Sequence, residues 1–497
     1  MKLRLSTRRL LLGATVGILL GLAGMFGVGQ NLEDRLIDYR LHAWHKGTPS
    51  PEIVLVGVSD ADIATFGSWP FPRGVHSDVI QILEAMKPAH ISMDILFNEA
   101  SEDPGQDQQL LTSINQQKNI TLPYYFDKFG FEDFSPGTDH FLEGRHYGYD
   151  PAQGDLPAGA DAVGPFTKLD CTFGASNGIP SRPDGKIREA PLFIQQGSLL
   201  YPSLGMQTLM ASLKTAPDQI TVQPGRFVTI TNSPRGTLRF PISRRGLYRI
   251  NYQGDLERFT GLDYSSLYRS VKDPEFGQKV RSAVEGNLVL VGYVATGSYD
   301  TLNTPIGPMP GLVVHANLLS NLWSGQHLWL PPFWLEMVIL PIFGLAAGAV
   351  MTLRRKARLA GVLVLGLAAL AICLAAAKED IMLPMAGLAG TWGVLLCAAG
   401  LLKNTLTNPE GLAPAPSLPK VLLPKIPQTG STGLSRRVSH PPSIRNPELP
   451  VGMDSNDAET VQMDATVTWQ SPAREARSPD EKISPAEENT SLQPPAP

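Results

Sequence analysis

The stretch SDVIQILEAMKPAHISMDILF, Ser77 to Phe97, sets two periodicities back to back. Val79, Ile80, Leu83 and Met86 are spaced as one face of a helix, which Pro88 closes. The run from His90 to Phe97 is apolar and reads as a strand. Upstream, EIVLVGVS (Glu52 to Ser59) is β-branched and apolar, as expected of a strand buried on both faces. Downstream, QDQQLLTSINQQK reads as a second helix and NITLPYYF as a third strand. Strand, helix, strand, helix, strand predicts an α/β fold with right-handed crossovers and a mostly parallel sheet.

From Asp127 to Pro180 the chain is rich in Gly, Pro and Asp, and periodicity weakens. This segment is expected to be a long ordered insertion. Ser203 to Leu213 reads as a helix, and the segment from ITVQPGRFVTITNS to LYRINYQG as short strands with turns. A buried strand returns at Gly286 to Ala295, and Pro310 to Gly325 is a helix leading to the membrane.

Four apolar runs flank or follow this region: residues 10–29, 333–353, 359–377 and 381–402. Each is near the roughly 20 residues that a spanning helix needs. The first has no convincing A-x-A cleavage site after it and reads as an uncleaved anchor. Lys2, Arg4, Arg8 and Arg9 place residues 1–9 in the cytoplasm, and Arg354, Arg355, Lys356 and Arg358 belong on the same side. That puts residues 30–332 outside the cytoplasmic membrane and the tail, 403–497, inside. The competing reading makes some late runs buried core helices, but three such runs with short polar joints are unusual in a soluble fold. The net charge of −4 does not suggest nucleic-acid binding. Three cysteines, two of them in apolar runs, argue against a disulfide framework or a thiolate zinc site.

The segment from Asp60 to Leu110, with its GSWPFPR block, resembles the opening of a CHASE2 domain, an extracytoplasmic sensory module of bacterial signalling proteins. Phe71 stands where a second Trp is usual. PDGKIREAPLF (Pro183 to Phe193) resembles a further family motif, with Arg182 in place of its first Asp. YPSLGMQTL and the stretch from Leu288 to Leu322, with its M-P-G and H-A-N elements, resemble two more. The resemblance covers about Asn31 to Leu402. It implies a sensor and three late transmembrane helices. It also implies a cyclase or kinase output domain, and Lys403 to Pro497 carries none. That tail is rich in Pro, Ser, Thr and Ala and reads as disordered. Its near part is basic and suited to anionic lipid. Its far part is acidic, with Thr460 and Thr466 as candidate phosphorylation sites for a phosphothreonine-reading domain. An inert tail is the alternative.

The candidate ligand contacts are Asp60, Trp69, Arg73, His76, Asp94 and Asp300. They are expected beyond the carboxyl ends of parallel strands, where open α/β sheets bind ligands. Arg73 either binds an anion at a helix start or holds structure, bridging Asp94 foremost or a carbonyl. Enzyme readings are weaker. GASNG around Ser176 fits a nucleophile elbow, but IPSRPDG follows it and breaks a helix. His140, Glu143 and His146 have metal-like spacing, though solvated histidines are the plainer reading. No Walker A or dinucleotide fingerprint appears, so no catalysis, metal or cofactor is expected. Two functions remain. One is a sensor of an unknown external ligand, acting through a separate cytoplasmic kinase, cyclase or reader. The other is a membrane scaffold that senses nothing.

Overall fold

The computed structural model describes residues 5–25, 29–44, 47–132, 134, 142, 146–148, 154, 156–177, 184–296 and 300–394. The first part of the chain forms α1 (Leu5–Met25), α2 (Gln30–Trp44), β1 (Ile53–Val58), α3 (Asp60–Phe66), α4 (Arg73–Ala85), β2 (His90–Asp94), α5 (Pro104–Gln116) and β3 (Ile120–Gly130). Six short strands follow: β4 (Tyr147–Gly148), β5 (Ala158–Val163), β6 (Thr172–Ala175), β7 (Glu189–Pro191), β8 (Phe193–Gln196) and β9 (Leu199–Pro202). After α6 (Leu204–Ser212) come β10 (Ile220–Gln223), β11 (Phe227–Ser233), β12 (Gly236–Pro241), β13 (Leu247–Arg249) and β14 (Thr260–Asp263). The chain then runs through α7 (Tyr264–Lys272), α8 (Pro274–Val284), β15 (Leu288–Tyr293), β16 (Thr301–Thr304), β17 (Gly307–Pro310), α9 (Gly311–Ser324), α10 (Phe333–Val350) and α11 (Arg355–Ala377).

The main sheet runs in the order β14-β1-β15-β2-β3-β5-β8-β9-β4, with β6 also paired to β3. From β14 to β3 every pair is parallel. The expected order of β1, β2 and β3 holds, but β15 lies between β1 and β2. Its partners are set by register, Leu55 beside Leu290 and Leu290 beside Ser92, and not by nearness in sequence. The expected insertion contributes β4, β5 and β6, so it extends the sheet. Val54, Val56 and Val58 pack with Val79, Leu83, Leu110 and Val284 on one face. Ile53 and Leu55 pack with Leu209, Leu312 and Ala316 on the other. Full burial of one such side chain contributes about 1.5–3 kcal/mol.

Residues 251–254 follow β13 outside any named strand, and α9 satisfies their backbone. Asn317 Oδ1 accepts from the amides of Gln253 (2.7 Å) and Gly254 (3.2 Å), and its Nδ2 donates to the Gly254 carbonyl (2.8 Å). One turn on, Asn321 exchanges two bonds with the backbone of Asn251, 2.8 and 2.9 Å. Both asparagines are fully buried. These are the H-A-N asparagine and its i+4 partner, spaced to share a helix face.

Two helices are long and apolar enough to cross a membrane: Thr7–Gly24 within α1 and Lys356–Ala377. Trp334–Val350, in α10, is apolar but shorter. The fourth expected span is helical over residues 385–394 and then leaves the described residues. Small residues bring α1 against α10. A Cβ on Gly13 would lie 2.9 Å from the Gly344 carbonyl carbon, and one on Gly348 2.6 Å from the Arg9 oxygen. Such close backbone approach is how helices associate where no hydrophobic force separates protein from solvent.

Replacing Asn317 with Ala strands three buried backbone groups, each costing about 1–3 kcal/mol. The Asn317→Ala domain is expected to lose about 3 kcal/mol or more in urea unfolding. An unchanged midpoint contradicts the role given to α9.

Candidate functional site at the carboxyl edge of the sheet

The parallel strands β14, β1, β15 and β2 all end on one edge, and the predicted residues gather there in three settings. Asp60 does not end β1; it is the first residue of α3, after the Ser59 cap. Its carboxylate accepts from the amide and hydroxyl of Thr296, just beyond β15, at 3.1 and 2.8 Å. Trp69 and His76 meet in an aromatic cluster with Phe71, Phe97, Tyr264 and Tyr293. His76 is 1% exposed, and its Nδ1 lies 3.0 Å from the Tyr264 hydroxyl. Burial, and secondarily the charge of Arg73, hold this imidazole down to about 3. At neutral pH it is an uncharged hydrogen-bonding group within a packed cluster.

Arg73 opens α4, but its partner is not Asp94. Its guanidinium donates to the Glu99 carbonyl at 3.0 Å and lies 3.7 Å from Asp107. The same group sits over the Phe97 ring, 4.7 Å from its centre. The correction follows from geometry. Asp94 ends β2, while Asp107 sits in the first turn of α5, the helix packed beside α4. The alternative of a carbonyl partner holds.

Asp94 pairs instead, electrostatically, with Asp300. Burial first, and the Asp94 charge second, push Asp300 up to about 6, against opposing effects of His315 and the Gly311 amide. Glycines make the room. A Cβ on Gly311 would lie 2.8 Å from an Asp300 carboxylate oxygen, and one on Gly292 3.3 Å from the Asp94 Cβ.

Several residues here escaped sequence reasoning. Asp62, 0% exposed, accepts from Ser59, from the Tyr264 amide and from the amide and hydroxyl of Ser265. One carboxylate thus caps α3 and ties it to the start of α7. The signal was present as Ser59-x-x-Asp62, a capping box. Asp107 and Tyr264 carried no local signal, and His315 stood only as the first residue of the H-A-N element; distant contacts give them their roles.

The remaining candidates lie elsewhere. Ser176 follows β6 and donates its hydroxyl to the Tyr124 carbonyl at 3.2 Å. His140, Glu143, Thr460 and Thr466 lie outside the described residues, as does the tail from 403. His146 stacks edge-on with Tyr201. Among the described residues no group of three acidic, His or Cys side chains is placed to hold a metal.

Two predictions follow from these environments. The folded pKa of Asp300 is raised from 3.8 to about 6, so its stabilisation is complete below about 4 and lost as pH rises through 6. Asp300→Asn is expected to remove that slope, leaving the variant more stable than wild type at pH 7 in thermal melts. His76 has the opposite sign. Its folded value is depressed, so stability is lost as pH falls from 6.5 towards 3. Arg73→Met leaves the buried Asp107 carboxylate without its cation and is expected to cost about 1–3 kcal/mol. A wild-type melt for that variant leaves ligand contact as the remaining role of Arg73.

No curated protein matches the chain, and no solved structure matches it. A family model described as the CHASE2 domain matches residues 13–350. That match runs from α1 through the whole sheet to the end of α10, more than half of the chain, and CHASE2 is an extracytoplasmic sensory domain and not a catalytic one. With the carboxyl-edge cluster, the H-A-N helix and the Asp-Gly motif all inside the matched region, the chain belongs to the CHASE2 family.

Proposed function

We propose that this chain is a membrane-anchored extracytoplasmic sensor. It spans the cytoplasmic membrane several times and signals through a separate partner at its cytoplasmic tail. The observation that carries this reading is α2, the helix between α1 and the outer domain. Asp34, Ile37, Asp38 and Leu41 lie at i, i+3, i+4 and i+7, and all are buried. Asp38 receives two bonds from Arg188, 2.9 and 2.8 Å, and Asp34 one from Arg249, 2.9 Å. Arg188 also grips Asp184 of the Asp-Gly motif at 2.9 and 2.6 Å and holds that carboxyl down to about 2. These pairs fasten α2 to the outer domain.

The same helix also holds the start of the last helical segment. Arg40, 2% exposed, donates to the Leu383 carbonyl at 3.1 Å and to Glu33 at 2.8 Å. Glu33 in turn accepts from the Ala386 amide at 2.7 Å. Ile37, Leu41, Leu328 and Met382 form an apolar cluster beside them. A shift of the outer domain that moved Asp34 and Asp38 would therefore move residues 383–386 as well. A scaffold has no need of such a linkage between its outer domain and one membrane helix.

A chimera tests the reading. An adenylate cyclase catalytic domain replaces residues 403–497, and cyclic AMP is measured with Arg40 intact or changed to Met. Arg40→Met is expected to alter output about fivefold or more, the lower range of ordinary coupling energies. Equal output, with the outer domain still folded, favours the scaffold. Orientation is checked separately. A cysteine at Lys279, on exposed α8, should label in intact cells, and one at Ser431 only after permeabilisation. In the intact chain, Thr460→Ala with Thr466→Ala is expected to abolish partner recruitment.

A further inference from the structure

On the face of the sheet that α6 and α9 pack against, β1 presents Leu55 and Gly57, with Ser59 just beyond its end, and β14 presents Gly261 and Asp263 beside them, in the register Leu55 to Gly261 and Gly57 to Asp263. Over β15 this face is covered, since a Cβ on Gly292 would meet Leu312 of α9 at 2.9 Å. Over Gly261 of β14 it is not. A hollow of about 280 Å³ remains there, walled by Leu55, Leu256 and Val294 and rimmed by Asp263 and Ser266. It lies at the carboxyl ends of two parallel strands, where open sheets take ligands.

The two glycines of its floor differ. Gly57 is required by packing, because a Cβ would lie 2.3 Å from a Val294 methyl. Gly261 has no such reason. Its nearest neighbour would be the Phe259 carbonyl oxygen at 4.0 Å, so a side chain there would project into the hollow. Gly261 is exposed on the edge strand, and a larger residue there would suit a strand better. Its omission keeps the space open.

The polar rim selects the occupant. The amides at the start of α7 are already taken, those of Tyr264 and Ser265 by Asp62 and that of Ser266 by Asp263. No lining residue is cationic. The second carboxylate oxygen of Asp263 and the Ser266 hydroxyl make no hydrogen bond among the described residues. An anion would find a single donor, the Ser266 hydroxyl, beside the Asp263 carboxylate, whereas an ammonium would find two acceptors, one of them charged. We infer that this hollow binds a small molecule with an aliphatic body and a protonated amine. Its volume is at the small end for ligand cavities, about 300 Å³, which excludes a peptide. That the occupant is the sensor's cue rests on the function proposed above.

The test uses the full chain in detergent, with hexylammonium as probe and hexanoate as its anionic counterpart. Hexylammonium is expected to raise the melting midpoint by about 2 °C or more, and hexanoate not to. Gly261→Leu, which fills the hollow, should abolish the shift. Should that variant not fold, Ser266→Ala is expected to weaken hexylammonium about fivefold. The proposal is overturned by no shift in the wild type, by an equal shift with hexanoate, or by a full shift in Gly261→Leu. If binding behaves as expected but hexylammonium leaves the cyclase chimera unchanged, the site stands and its role as a cue site falls.

Discussion

Arg188 is buried between two carboxylates that belong to different parts of the molecule. Asp184 precedes it by one turn-like step in the Asp-Gly motif, and Asp38 comes from the helix that follows the first apolar segment. Burial by itself would disfavour the charged guanidinium. The hydrogen bonds that Arg188 donates to both aspartates outweigh that effect and hold the charge. Removing one partner of such an arrangement typically costs about 3–5 kcal/mol, because the other charge is left uncompensated. A hydrophobic contact in this place would allow sliding. A buried, bidentate pair sets the helix in one register, and the contacts of α2 with residues 383–386 depend on that register.

The carboxyl edge of the sheet shows a division of labour among similar residues. Asp62 is fully satisfied and serves structure; it joins two helix starts. Asp94 and Asp300 are crowded together, and burial with the Asp94 charge favours protonation of Asp300. Asp263 caps α7 with one oxygen and leaves the other towards the hollow. His76, which as a lone histidine in a signature block looks like a switch, is buried among aromatic rings and stays neutral over the physiological range. Environment, and not residue type, separates these roles.

The sheet domain and the apolar helical region meet through polar groups as well as apolar ones. Tyr248 reaches His327 at 2.8 Å, and the backbone of Trp329 exchanges bonds with Asp380 and Met382. Together with α2, this gives the domain two separate holds on the turn before the last helical segment. Two holds on one short turn constrain its angle more than either would alone.

The buried strands around Val54, Ile91 and Leu290 were legible in the sequence, because a strand covered on both faces needs an unbroken apolar run. So were the helices at Val79 to Met86 and at Gly311 to Ser324, whose period is local. The insertion of β15 between β1 and β2 was not, since parallel pairing joins residues such as Leu288 to His90 and to Ile53, far apart in the chain, and leaves no local trace. The same reason hid Asp107 as the partner of Arg73, where the nearer Asp94 was expected. It hid the charged face of α2 too, although Asp34, Ile37, Asp38 and Leu41 carry a helical spacing. A charge reads as solvent-facing until its partner is in place, and Arg188 and Arg249 are supplied only by the folded chain.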